Sequence, residues 1–186
     1  MRPGGGKQKG AAFEREVCVL LSRWLTNGTR EDVFWRSAMS GGRATVGHKR
    51  GKHHSTQVGD ISCIHPAGHK FSDTFAPECK FYADLNWQGL LTGKGKLLDF
   101  WNEINTQANR YGKHPFLVAR QNRMPAFVCL DAAGVAKLKL HSSRFVLISY
   151  RYDMFIIEAD KFFKKCEPYV VPSRRPALHR SRKRLI

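Results

Sequence analysis

The sequence predicts an α/β fold in a single domain, and three observations carry that reading. From Lys9 to about Leu25, apolar side chains recur at the spacing of one helix face. Two strand-length apolar runs, residues 58–64 and 75–82, each contain an acid. A second amphipathic stretch, residues 96–111, is followed by further short apolar runs with turn residues between them. Helical and strand-like segments in this mixture form a sheet covered by helices.

The first helix puts Phe13, Val17, Leu20, Leu21 and Trp24 on its core face. Glu14 lies at the edge of that face, beside Leu21 and Leu25, while Glu16 lies further round, toward Arg23 and solvent. Phe34-Trp35-Arg36 reads as the end of a strand, which gives way to a loop at Ser37 with Gly41 and Gly42 in it. The runs holding Asp60 and Glu78 flank His65-Pro66-Ala67-Gly68-His69, whose turn chemistry predicts a hairpin. With the turn near His69, Asp60 stands opposite Glu78. The second long helix carries Leu97, Trp101, Ile104, Ala108 and Tyr111 on its core face. Strands follow at 115–118, 126–130, 145–149 and 154–157, with a short helix or turn from Asp131 and a short helix at 160–165.

Side chains two apart in a strand share a face, so Glu78 and Lys80 point together. The predicted hairpin therefore gathers two carboxylates and one ammonium on one face. An unpaired carboxylate is costly to bury. A hard divalent cation relieves that cost, because oxygen ligands suit magnesium.

Asp60 followed by Glu78-Cys79-Lys80 resembles the signature of the PD-(D/E)XK phosphodiesterases, with Gly59 where that signature has proline. The wording of residues 9–16, Lys-Gly-x-x-x-Glu-Arg-Glu, is similar to the first helix of archaeal-type Holliday junction resolvases, a branch of the same superfamily. Those proteins also carry an Arg before a Gly/Ser turn, here Arg36 with Ser37 and Ser40. The resemblance covers residues 7 to about 130. It implies a restriction-endonuclease-like αβββαβ core, with a central mixed sheet flanked by helices. It also implies that Glu14, Asp60, Glu78 and the Cys79 carbonyl hold one or two Mg2+ ions, with Mn2+ able to substitute. Glu14, Asp60, Glu78 and Lys80 would then form the catalytic set, acting as a homodimer on branched DNA. On the helix alone, Glu14 reads as a partly solvated acid beside Arg15.

Gln107 and Tyr111 match the Q-x-x-x-Y pattern found after the E-x-K strand in several nuclease branches. They read equally as a surface amide and the end of a core stripe. Arg120 reads either as a DNA or site contact or as a solvated loop cation. The loop 41–57 carries Arg43, Lys49, Arg50 and Lys52 and no acid. It reads either as a solvated loop or as a mobile arm whose cations, amides and hydroxyls contact phosphate.

Lys and Arg number 32 against 15 acids, a formal net charge of +17. Residues 1–10 carry 3 of the cations, 41–57 carry 4 and 173–186 carry 6, with no acid in any of these segments. Outside these three segments the chain is close to balanced, with 19 cations against 15 acids, so a single domain spanning residues 1–172 with basic appendages suits a polyanion partner held by counterion release. The basic segments lack the aromatic and leucine-rich face of a membrane-surface helix, which argues against a membrane partner. Met1 to Gly6 has no signal-peptide character, so a cytoplasmic protein is expected, in the host cytoplasm if phage-encoded. The cysteines, Cys18, Cys63, Cys79, Cys129 and Cys166, all fall in apolar runs and read as reduced buried thiols. A zinc site from Cys63, His65 and His69 matches no standard spacing.

Three activities fit these features: a junction-resolving endonuclease, another PD-(D/E)XK nuclease with a restriction-like, nicking, repair or exonuclease task, and a non-enzymatic nucleic-acid-binding protein. All three give the tail 173–186 the same role. Deleting it should weaken binding to every DNA shape about equally and flatten the salt dependence, because fewer counterions are released. Titrations on junction and linear duplex across salt concentrations check this. An unchanged salt slope would mean that the tail does not touch DNA.

Overall fold

The computed structural model describes residues 5–37 and 59–168. The expected mobile loop 41–57 and the tail 173–186, with Ser40, Arg43, Lys49, Arg50 and Lys52, lie outside the described residues. The chain opens with helix α1 (Gly5–Leu25) and strand β1 (Phe34–Arg36), then strand β2 (Ile61–Cys63), a 3-10 turn (Pro66–Gly68), helix α2 (His69–Thr74) and strand β3 (Phe75–Tyr82). Helices α3 (Gly89–Thr92) and α4 (Lys96–Arg110) lead into β4 (His114–Gln121) and β5 (Ala126–Leu130). Helix α5 (Ala132–Lys137), β6 (Leu147–Ser149), β7 (Met154–Glu158) and α6 (Ala159–Lys165) complete it.

The five-stranded sheet runs β3-β4-β5-β7-β6. Its β3–β4 pair is parallel and the others are antiparallel, so the sheet is mixed as expected. Strand alternation sorts its two faces. Phe116, Val118, Val128, Leu130 and Ile157 face α1, α2 and α6. Leu117, Ala119, Cys129 and Ile156 face α3 and α4, against Leu97, Trp101 and Ile104. The α1 stripe of Phe13, Val17, Leu21 and Trp24 is buried as its spacing requires. Trp24 donates from its indole to the Cys166 carbonyl at 2.7 Å, tying α1 to the end of α6. Among the described residues, no helix is long and apolar enough to cross a membrane.

The predicted hairpin does not form. β2 pairs antiparallel with β1, in a separate two-stranded ribbon, and β3 pairs with β4. The segment read as a turn is helical instead. Pro66 supplies its fixed φ at the first helical position and the His65 ring caps it, accepting from the Ala67 N–H at 3.1 Å. Gly68 is packed so closely that a Cβ there would stand 2.7 Å from Val33 Cγ1 and Cys63 Sγ. Two other boundaries shift. β4 continues through Arg120 into Gln121, where a loop was expected, and the strand expected from Phe145 starts at Leu147.

The β1–β2 ribbon hangs on a buried hydroxyl of α1. Ser22 Oγ donates to the Cys18 carbonyl at 2.7 Å and accepts from the Val33 and Phe34 N–H groups, each at 3.1 Å. Ser22→Ala would leave both amides unpaired in the core. We expect a loss of roughly 2–3 kcal/mol, from the usual cost of stranding buried donors. It should appear as a lower urea midpoint with an unchanged slope. A shift within error would mean that the ribbon is held elsewhere.

Candidate active site at the free edge of β3

β3 pairs with β4 on one side only, so its other edge is available. Gly59 and Asp60 dock there. The Asp60 N–H donates to the Pro77 carbonyl at 3.1 Å, and Asp60 Oδ2 accepts from the Cys79 N–H at 3.1 Å. Pro77 and Cys79 therefore turn their backbone groups to the free edge. This is where a proline, lacking an N–H, costs the strand no ladder bond. A strand residue points its N–H and C=O to the same edge, so the Cys79 carbonyl also faces Asp60. Gly59 stands at φ +91°, and a Cβ there would lie 2.1 Å from the Pro77 oxygen. Proline, which fixes φ near −65°, could not occupy this position.

The acids reach this edge from three directions. Glu78 projects from the α4-facing side of β3, as do Ala76 beneath Ala108 and Tyr111. Lys80 shares that side, and its Nζ donates to Glu78 Oε1 at 2.8 Å while lying 5.0 Å from the Phe100 ring centroid. Glu14 comes from α1 on the opposite side. Arg36, inward-pointing on β1 like Phe34, donates to its Oε2. Ser37 follows, with its N–H on the Asp60 carbonyl at 2.8 Å and its hydroxyl 2.7 Å from that of Ser62. Glu14, Asp60 and Glu78 are all buried.

Burial first and the neighbouring Asp60 second push the Glu78 carboxyl up to about 8, against the opposing Lys80. Glu14 is also raised, first by burial and then by Asp60, with the Arg36 hydrogen bond working against it. For Lys80, burial works against the ammonium, but Glu78, Asp60 and Glu103 outweigh it and the net direction is up. The site thus holds three carboxylates against two cations in a dry setting. Among the described residues, Glu78 Oε2 is buried with no hydrogen-bond partner. An orphaned carboxylate oxygen beside a second carboxylate and a free-edge carbonyl is a hard-oxygen donor set that fits a divalent cation. Among the described residues, no three His, Cys, Asp or Glu side chains already close into a metal cage, and Glu14 Oε2 is engaged by Arg36.

The remaining expected residues are placed differently. Tyr111 packs on Ala76, two residues before Glu78 on the same strand face, and Gln107 is half-buried one turn after Glu103. Arg120 is not brought to the acids. Its guanidinium makes two bonds to Glu16, at 2.8 and 2.7 Å, and lies 4.6 Å from the Phe13 ring centroid. The Cys79 side chain points into the core, with its thiol pushed well up by burial, so only its carbonyl is offered to the site. Cys63, His65 and His69 form no metal cluster. Sequence reasoning missed Ser22 and Glu103. A lone serine in a helix and a surface-reading acid carry no local signal of what they will meet.

A family model described as "Phage putative PDDEXK endonuclease" matches residues 5–171. No curated protein and no solved structure matches the chain.

The Glu78 shift has a consequence for stability. Folded Glu78 binds more protons than unfolded Glu78, so metal-free stability should fall as pH rises from about 4.5 through about 8. Glu78→Gln should flatten that decline, leaving the smaller contribution of Glu14. Thermal melting in chelator at pH values spanning this window checks it. An equal slope in the variant would show that Glu78 does not hold the extra proton.

Proposed function

The chain belongs to this phage PDDEXK endonuclease family, and on that premise we propose that it is a Mg2+-dependent DNA endonuclease selective for branched DNA such as four-way junctions, with Mn2+ able to substitute. The observation that most supports the site is the orphaned Glu78 Oε2 set against Asp60 on the strand that carries Lys80. Asp60, Glu78, the Cys79 carbonyl and Glu14 would hold the metal. When bound, the metal supplies a polarised phosphate oxygen and a water of lowered pKa.

The chain's own residues do the rest. Lys80, hydrogen-bonded to Glu78, acts as a donor that orients the attacking water or offsets charge on the phosphorane. Arg36 and Ser37 stand at the mouth of the site, where a guanidinium and a hydroxyl meet the phosphate. Ser40, Arg43, Lys49, Arg50 and Lys52 would add phosphate contacts of the same kind, and Gln107 and Tyr111, at the end of α4, would add to them. Arg120, neutralised by Glu16, adds least. In-line attack leaves a 5′-phosphate and a 3′-hydroxyl. Resolving a junction takes paired cuts on opposite strands, which a two-fold homodimer supplies.

The proposal is tested by cleavage of a synthetic four-way junction with Mg2+, with linear duplex as control. Preferential junction cutting is expected, and equal cutting of both would favour another PD-(D/E)XK task. Asp60→Asn and Glu78→Gln should each lower the rate at least about a thousandfold, as losing metal-bound chemistry does, with DNA binding intact or tighter. Glu14→Gln should be severely impaired. Glu16→Gln should be mild, because that side chain is exposed and engages Arg120. Full activity in Asp60→Asn would remove the site assignment.

A further inference from the structure

The outward face of the β1–β2 ribbon carries a second feature. Antiparallel pairing sets Trp35 opposite Ser62. Residues two apart share a face, so Ser37 and Ile64 join them, and the 2.7 Å contact between the Ser37 and Ser62 hydroxyls agrees with this placement. Trp35 is 61% exposed and Ile64 60% exposed, although their strand neighbour Phe34 is fully buried. Trp35 thus stands across from Ser62, with Ser37 on the side toward Asp60 and Ile64 on the side away from it, each roughly 7 Å along its own strand. The other tryptophans are placed differently: Trp24 and Trp101 are buried, and the Trp87 ring packs on Phe127.

We propose that this face holds a nucleotide that has left the DNA stack, with Trp35 stacked on its base, Ile64 against the adjoining base and the Ser37–Ser62 pair on its phosphate. Nucleic acid is favoured as the occupant because the chain carries a formal +17, and a strongly cationic protein draws a polyanion to its exposed surfaces. The chemistry also fits. Aromatic side chains take unpaired bases without regard to sequence, hydroxyls position phosphate, and Arg36 on the opposite ribbon face reaches Glu14. The inference rests on the nuclease reading and deepens it. The substrate becomes DNA with an unpaired base beside the scissile phosphate, as at a branch point.

The test is binding in chelator, with no cleavage, so its outcome is independent of the metal site. Probes are a forked duplex with 2-aminopurine at the first unpaired position and a fully paired duplex of equal length. The protein should quench its own tryptophan fluorescence and change the 2-aminopurine signal on the fork. Trp35→Ala should weaken fork binding roughly tenfold, remove both signals and leave duplex binding within twofold. Trp35→Phe should restore most of the affinity, separating stacking from a folding defect. Equal weakening on fork and duplex, or no change on either, would overturn the proposal. A drop from dimer to monomer in Trp35→Ala by light scattering would also overturn it, by making this face a protein interface. If Asp60→Asn retains cleavage while these binding results hold, the metal-site reading fails and the stacking surface stands.

Discussion

An outer strand leaves half of its backbone donors and acceptors without partners, and in β3 that edge runs past the buried acids Glu14, Asp60 and Glu78. Asp60 meets the need with two bonds from a single residue. Its N–H satisfies Pro77 and its side chain satisfies Cys79. The approach is possible only because Gly59 adopts a left-handed conformation against the Pro77 carbonyl with no side chain between them. That contact brings Asp60 to Glu78, fixes the lower end of the β1–β2 ribbon and, through Ser37, joins Arg36 to the same point. Ser22 fixes the ribbon's other end. The ribbon is pinned at both ends to the elements that carry Glu14 and Glu78.

Three acids in a dry pocket would repel one another strongly if all were ionised. The fold manages this with two built-in cations from different elements, Arg36 on Glu14 and Lys80 on Glu78. The compensation is incomplete: burial first and Asp60 second keep Glu78 proton-rich at neutral pH, and among the described residues its Oε2 has no hydrogen-bond partner. The electrostatic stress is thus concentrated on the pair Asp60–Glu78. In the proposed reading this is where a divalent ion gains most. It meets the desolvated oxygens directly, and its charge replaces the proton that the pair otherwise requires.

Much of this could be read in the chain. Helix periodicity is local, so the α1 stripe and the contrast between Glu14 at its edge and Glu16 further round followed from spacing alone. The structure places Glu14 beside Asp60 and Glu16 on the exposed side. The order of helices and strands and the mixed sheet were also legible. Strand pairing was not, because it depends on partners far apart in sequence. The two acid-bearing runs looked like neighbours, yet each found another strand. His65-Pro66 carries the residues of a turn, but a proline at the first helical position with a capping ring starts a helix equally well. Arg120 was read as leaving its strand because the apolar run ends before it. Its guanidinium instead lies over Phe13 and pairs with Glu16, which extends the strand.

The departure at Gly59 keeps the geometry of the contact with a different residue. What the position must do is let the backbone of Asp60 approach β3 closely enough for two hydrogen bonds. A proline can satisfy that from a strand with negative φ. Here the chain arrives with φ +91°, and a Cβ on Gly59 would lie 2.1 Å from the Pro77 oxygen, so only glycine fits. Proline is used instead at Pro77, across the contact, where its missing N–H faces the free edge and its carbonyl receives Asp60. Glycine and proline thus face each other across the contact, and the Asp60 carboxylate acts on Glu78.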